Sequence, residues 1–196
     1  MSSGLGRGWA KTGHSVIFGS RDPAAKADII ATLSGARVTT IDEALSSAEV
    51  VVLALPYTAV EGFARDHAAH LRGKVVIDIT NPFDNLPDNR IAGAEITANA
   101  IGDGARVVAA FKANFHKTLD QPQDSNGITR DVHYAGDDET AKSIVAGLIR
   151  DLGFMPVDCG PLKNARVLDA MVPLMIELDQ RYGGGNALSA WKLLTP

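Results

Sequence analysis

The sequence predicts an α/β fold, an open and mostly parallel sheet wound in two directions with helices on both faces. Three observations carry this. Short β-rich apolar runs alternate with helical patterns from one end of the chain to the other. Two of those runs, Val50–Leu55 and Val75–Ile79, are nearly all apolar, as suits strands covered on both faces. The segments between runs have the length of strand–helix–strand crossovers.

The elements are expected in this order. A helix at Gly4–Thr12 precedes a strand at Ser15–Phe18, a helix at Pro23–Leu33, a strand at Arg37–Thr39 and a helix at Ile41–Ser47. The strand Val50–Leu55 then leads to a helix at Thr58–Leu71, and the strand Val75–Ile79 to a helix at Gly93–Ala100. Val107–Phe111 reads as a strand, and Val132–Ala135 as a weaker one. Between them, Leu119–Thr129 carries Pro122 and the Ser125-Asn126-Gly127 turn and reads as an extended loop. The helix at Glu139–Leu152 places Ala141, Ile144, Val145, Leu148 and Leu152 at helical spacing, and Gly153 stops it. A strand at Pro156–Cys159 and a helix at Asn164–Tyr182 complete the pattern, so residues 1–196 are expected to form one domain, with 161–196 as a C-terminal helical segment.

Composition narrows the function. Of 196 residues, 45% are hydrophobic and 21% charged, which is globular and not disordered composition. A chain of this length buries roughly 70% of its unfolded surface, enough for a core without staples. The single cysteine, Cys159, excludes an internal disulfide framework and fits a reducing, cytoplasmic setting. A net charge of −4 gives no footprint for nucleic acid or a membrane surface. No apolar stretch approaches about 18 residues, and Met1–Thr12 lacks a signal-peptide core.

Dinucleotide-binding folds of this class open with a strand, a G-x-G-x-x-G turn and a helix. This sequence opens on the helix. Gly4-Leu5-Gly6-Arg7-Gly8 places Trp9 where a third glycine belongs, so its glycines are read as permitting close packing on the sheet. The ribose-reading residue falls about 20 positions after the fingerprint. The strand ending at Ser20-Arg21 therefore puts the fingerprint just before or across Met1, with Ser2 as the final small residue of the turn. The first strand is expected to be absent, which would leave Ser15–Phe18 and Val50–Leu55 with unpaired edges.

The chemistry-bearing residues cluster at strand ends. An acidic residue after the second strand would hydrogen-bond the ribose of NAD; here Ser20 and Arg21 offer a hydroxyl and a guanidinium fork for a 2′-phosphate, and Lys26 adds a second cation. Leu55-Pro56-Tyr57 and Asn81-Pro82 end neighbouring strands in turns that should face the ligand, because open α/β sheets bind outside the carboxyl ends of their strands. His67 and His70 lie three apart on a polar helical face and are read as solvated, so no metal site is expected. No nucleophile elbow or Ser–His–Asp set is visible, and no catalytic acid or base is assigned; hydride transfer between two bound rings rests on proximity and orientation.

Taken in order, several segments carry a family resemblance. They are Gly13-His14-Ser15-Val16-Ile17-Phe18-Gly19-Ser20-Arg21, Ala54-Leu55-Pro56-Tyr57-Thr58-Ala59-Val60 and Gly73-Lys74-Val75-Val76-Ile77-Asp78-Ile79-Thr80-Asn81-Pro82. Ala135-Gly136-Asp137-Asp138, the stretch Asp151–Leu162, and Ala165-Arg166 follow. In this order they resemble the NADPH-dependent coenzyme F420 reductases and the wider family of NADP oxidoreductases named for that coenzyme. The resemblance implies a Rossmann-like fold binding NADP at the carboxyl edge of the sheet, with Ser20 and Arg21 on the 2′-phosphate and Leu55-Pro56-Tyr57 along the nicotinamide half. It implies that Gly160-Pro161-Leu162 walls the pocket for a second ring, and that the chain pairs as a homodimer through C-terminal helices, where Leu168–Leu178 offers an apolar stripe. The family's V-K-A-F-N-T stretch reads here Val108-Ala109-Ala110-Phe111-Lys112-Ala113, putting Ala109 on the cofactor side and replacing two polar residues that commonly lie near the reacting rings. The expected activity is hydride transfer between NADP(H) and a flat ring such as the deazaflavin F420, a small-molecule co-substrate. The alternatives are a non-enzymatic NADP-binding scaffold or redox sensor, and a flavin- or ferric-reductase-like relative.

Overall fold

The computed structural model describes residues 2–27, 33, 35–82 and 91–195. Its elements follow the expected alternation. Helix α1 (Ser2–Lys11) leads into β1 (Val16–Ser20), and β2 (Ala36–Thr40) into α2 (Ile41–Ser47). Strand β3 (Val50–Leu53) is followed by α3 (Tyr57–Asp66) and the single turn α4 (Ala68–Leu71), and β4 (Val75–Asp78) precedes α5 (Gly93–Ile101). Then come β5 (Arg106–Ala110), β6 (Asp131–Gly136), α6 (Glu139–Asp151), β7 (Met155–Asp158) and α7 (Ala165–Tyr182).

The strands fall into two sheets. β1 and β2 pair in parallel as one unit; β3-β4-β5-β6-β7 form the other, parallel throughout except for the antiparallel pair β5 and β6. Among the described residues β1 has only β2 as a neighbour and β3 only β4, so the edges expected to lack a partner do lack one.

Period-two alternation builds the core on both faces of the larger sheet. Val75, Ile77, Val108, Ala110, Val132 and Tyr134 pack with Leu5 and Trp9 of α1 and Val145 and Ile149 of α6. Val76, Val107, Ala109 and Ala135 point the other way, against Val60 and Ala64 of α3, Ile101 of α5 and Leu168 of α7. Trp9 is fixed in register by its indole, which donates to the Leu148 carbonyl at 2.8 Å.

Three segments differ from the sequence reading. The helix expected over Thr58–Leu71 breaks at His67, whose φ of −106° and ψ of 17° leave the helical well. The helix expected over Pro23–Leu33 begins as a 3-10 turn at Ala24–Lys26, started by the Asp22 carboxylate accepting from the Ala25 amide at 3.0 Å; residues 28–32 lie outside the described ones. The start of the Leu119–Thr129 loop belongs to a 3-10 turn at His116–Asp120, and its tip is closed by a bridge between Gln123 and Thr129.

Beyond Tyr182 the chain turns back and is pinned by side chains. Asp179 accepts from the amides of Ala187, Leu188 and Ser189, and Asp131 at the start of β6 accepts from the Leu193 amide at 2.7 Å.

Candidate functional site

A cleft of about 610 Å³ runs between β1 and β3. Its two walls are β1 with the residue before it (15–19) on one side and β3 with the start of the turn after it (50–55) on the other. Leu5 and Trp9 of α1 cover it on one face, and Ala44 and Leu45 of α2 on the other. Gly19 allows α2 to approach this closely, because a Cβ there would lie 3.1 Å from the Ala44 methyl and 3.2 Å from the Ile41 backbone. The cleft is thus a sheet position roofed on both sides and bounded by two edges that are unpaired among the described residues.

At the end of β1 the chain makes a tight side-chain-supported turn. Ser20 Oγ donates to the Asp22 carbonyl at 3.0 Å and accepts from the Asp22 amide at 3.1 Å. The only hydroxyl proton of Ser20 is therefore spent on its own turn, and Arg21 and Lys26 are left exposed as the outward cations. The end of β4 is built differently. Asn81 Nδ2 donates to the Lys112 carbonyl at 3.0 Å, which fixes the amide's orientation because a carbonyl can face only the NH₂ end. Asn81 Oδ1 is left buried with no hydrogen-bond donor. Such an atom costs about 1–3 kcal/mol unless something donates to it.

Behind this turn lies a buried charged cluster. Asp78, the last residue of β4, accepts from the Thr80 amide and hydroxyl at 2.8 Å each and from the Thr97 hydroxyl at 2.7 Å. Lys112 Nζ sits 2.9 Å from Asp169 Oδ1 on α7 and 3.7 Å from Asp78 Oδ1, all three side chains essentially closed to solvent. Asp169 Oδ2 also accepts from the Gly93 amide at 2.9 Å, starting α5. Gly93 is glycine because a Cβ would lie 2.9 Å from the Tyr57 ring. Burial, with Asp169 and Asp78 nearby, raises the Tyr57 phenol above its ordinary value and keeps it neutral. Phe111, just before Lys112, is fully buried with φ of 57°, a left-handed conformation costly for a non-glycine residue and needed to turn Lys112 inward.

The predicted residues are thus distributed as follows. Ser2 and Leu55 line the cleft. Pro56, Tyr57, Asn81 and Pro82 stand at the ends of β3 and β4, which are paired in parallel register. Ser20, Arg21 and Lys26 stand at the end of β1. Ala109 is fully buried inside β5 and shares a core cluster with Leu162, away from the cleft lining. The Gly160-Pro161-Leu162 turn is fixed by the Gly136 amide donating to the Gly160 carbonyl at 3.0 Å and the Leu162 amide donating to Asp137 at 2.9 Å. Sequence reasoning missed the Asp78–Lys112–Asp169 cluster. Asp78 alone gave a signal, a carboxylate inside an otherwise apolar strand; its partners lie 34 and more positions away and have no local mark. It also missed that Asp42 of α2 stands beside His67 and His70.

Comparison with known proteins agrees with this picture. Residues 1–82 match the family model described as "NADP oxidoreductase coenzyme F420-dependent". The chain is 32% identical over 204 residues to an F420-dependent NADP reductase of Methanothermobacter marburgensis, covering 94% of this chain and 90% of that protein. It is 33% identical over 193 residues to the metalloreductase STEAP3 of Rattus norvegicus, covering 94% of this chain and 34% of that protein. The crystal structure of a putative F420-dependent NADP reductase from an Arthrobacter species superposes with a TM-score of 0.87 at 24% identity, over 98% of this chain and 94% of that one. That likeness establishes the Rossmann-like fold. Among the described residues, no helix is long and apolar enough to cross a membrane.

Proposed function

Because the chain belongs to the family of F420-dependent NADP oxidoreductases, we propose that it moves a hydride between NADP(H) and a deazaflavin of the F420 type. The observation that carries the cofactor half is the turn after β1, which presents the exposed cation Arg21 and no carboxylate at the ribose-reading position. The residues present fit NADP on a second count: the buried, donor-less Asn81 Oδ1 suits a carboxamide N–H.

When bound, the nicotinamide supplies or accepts the hydride and the deazaflavin ring is its counterpart. Arg21 binds the 2′-phosphate as a two-pronged donor, Lys26 adds charge, and Ser20 holds the turn that presents them. Ser2, at the start of α1, lies where a helix N-terminus favours the pyrophosphate. Leu55 and Pro56 give an apolar wall that excludes water, and Tyr57 offers a phenol held neutral by its surroundings. Asn81 orients the carboxamide, Pro82 stiffens its turn, and Gly160-Pro161-Leu162 walls the second ring. Ala109 supports this floor from inside β5. No protein acid or base is required, since the barrier falls by holding two rings in contact. In this reading the chain pairs as a cytoplasmic homodimer through α7, where Val167 and Leu174 are exposed while Leu168, Val172 and Met175 of the expected stripe are buried in the chain's own core.

The test has two arms. Mixing the protein with NADPH and oxidised F420 should bleach NADPH and reduce the deazaflavin. If NADPH binds and only flavin is reduced, the co-substrate is a flavin and the cofactor reading survives. Arg21→Ala should weaken NADPH about ten- to a hundredfold and leave NADH nearly unchanged, the worth of a charge-assisted bidentate contact. Equal losses for both nucleotides would make Arg21 a turn residue only.

A further inference from the structure

The sequence places His67 and His70 near each other, and the fold adds a third group from elsewhere. Among the described residues, Asp42, His67 and His70 each offer one ligand atom, and these atoms all lie within 4.8 Å of one another. His67 Nδ1 stands 3.6 Å from Asp42 Oδ1. Metal–ligand bonds of about 2.0–2.1 Å at tetrahedral angles separate donor atoms by roughly 3.4 Å, so this pair already has the required spacing.

The local structure shows how the group is assembled. The break at His67 ends α3 and restarts the chain as α4, which carries His70. The His67 ring is braced by Phe63, their centroids 4.4 Å apart, and the two imidazoles sit 6.4 Å from centroid to centroid. Asp42 comes from the first turn of α2 and is the most exposed of the three, so its side chain is the one free to adjust. Two imidazole nitrogens and one carboxylate oxygen suit zinc, cobalt, nickel or copper. Magnesium and calcium require sets of oxygen ligands that this group does not supply.

We propose that Asp42, His67 and His70 bind one divalent transition-metal cation, with water completing its coordination. The consequence is mechanical. Helix α2 packs on β1 and β2, whereas α4 leads directly into β4 of the larger sheet. A cation held by both helices would add a cross-link between the two-stranded unit and the five-stranded sheet, which no strand pair joins among the described residues. This inference stands on the three side chains alone and does not depend on the hydride-transfer reading.

The test uses the full chain, free of any affinity tag and stripped with chelator. Zinc chloride titrated by calorimetry should bind at one equivalent per chain. Cobalt(II) should give the visible absorption of a ligated low-coordinate ion, and zinc should raise the melting temperature. His67→Ala, His70→Ala and Asp42→Asn should each weaken zinc by more than about tenfold and abolish the thermal shift. The exposed Asp42→Asn variant should melt as the wild type does without metal, which separates lost ligation from lost folding. Absence of one-equivalent binding, or zinc affinity undiminished in a His67→Ala/His70→Ala double variant, would overturn the proposal.

Discussion

β1 and β4 are strands of nearly the same apolarity in different states. Val75–Asp78 of β4 is buried at every position, whereas no position of Val16–Ser20 in β1 is. The cause is neighbours. β4 has a strand on each side and helices on both faces, while β1 has β2 on one side and the cleft on the other. Burial is therefore a property of the place a strand occupies, and its own residues only permit it.

The sharpest way to break the well-packed half is to unbalance its buried charges. Lys112→Met should leave Asp78 and Asp169 without their cation and cost about 3–5 kcal/mol, read as a large fall in melting temperature. A triple replacement by apolar residues should recover much of the loss. A melt unchanged by Lys112→Met would mean that the cluster does not depend on its cation.

A matched pair of truncations sharpens the comparison further. Ile77→Ala in β4 should cost about 2–5 kcal/mol, and Ile17→Ala in β1 less than half of whatever Ile77 costs. Equal costs in denaturant unfolding would show that β1 is as well enclosed in solution as β4.

The next effect acts on the cleft itself. Fusing a five-residue apolar strand and a glycine-rich turn ahead of Ser2 should fill the position between β1 and β3, raise the melting temperature by several degrees and tighten NADPH. If neither quantity moves, the cleft does not accept a strand.

The smallest effect concerns the tail. Hydrogen bonds from Ser189 and from the amides of Ala187 and Leu188 hold the Asp179 carboxyl below its ordinary value of 3.8. Its folded pKa is lower than its unfolded one, so the tail's anchorage is complete above pH 3.8 and is lost as pH falls through the lower folded value. Amide exchange at residues 187–189 should accelerate over that acid range and be fast at all pH values in Asp179→Ala.

Much of this was legible in the sequence for reasons that can be named. Val50–Leu53 and Val75–Asp78 have no polar alternation, so only a doubly covered strand suits them. The unpaired edges followed from counting back from Ser20. What stayed hidden depends on long-range geometry. Nothing near His67 marks a helix break, since a histidine is compatible with either conformation. The destination of Lys112 is set by Asp169, on a helix 57 positions later, and by the left-handed turn at Phe111, which no glycine announced. Ala109 carried a family position into a place where the fold gives it only packing.

The cleft between β1 and β3 also bears on how the protein behaves in concentrated solution. A single bare strand edge templates open-ended growth, because each added strand exposes a fresh edge for the next. Here two edges face one enclosed berth, so a strand that enters satisfies both and exposes none. Association through this feature would take one guest strand per berth, and a free strand peptide that fills the berth would compete with it.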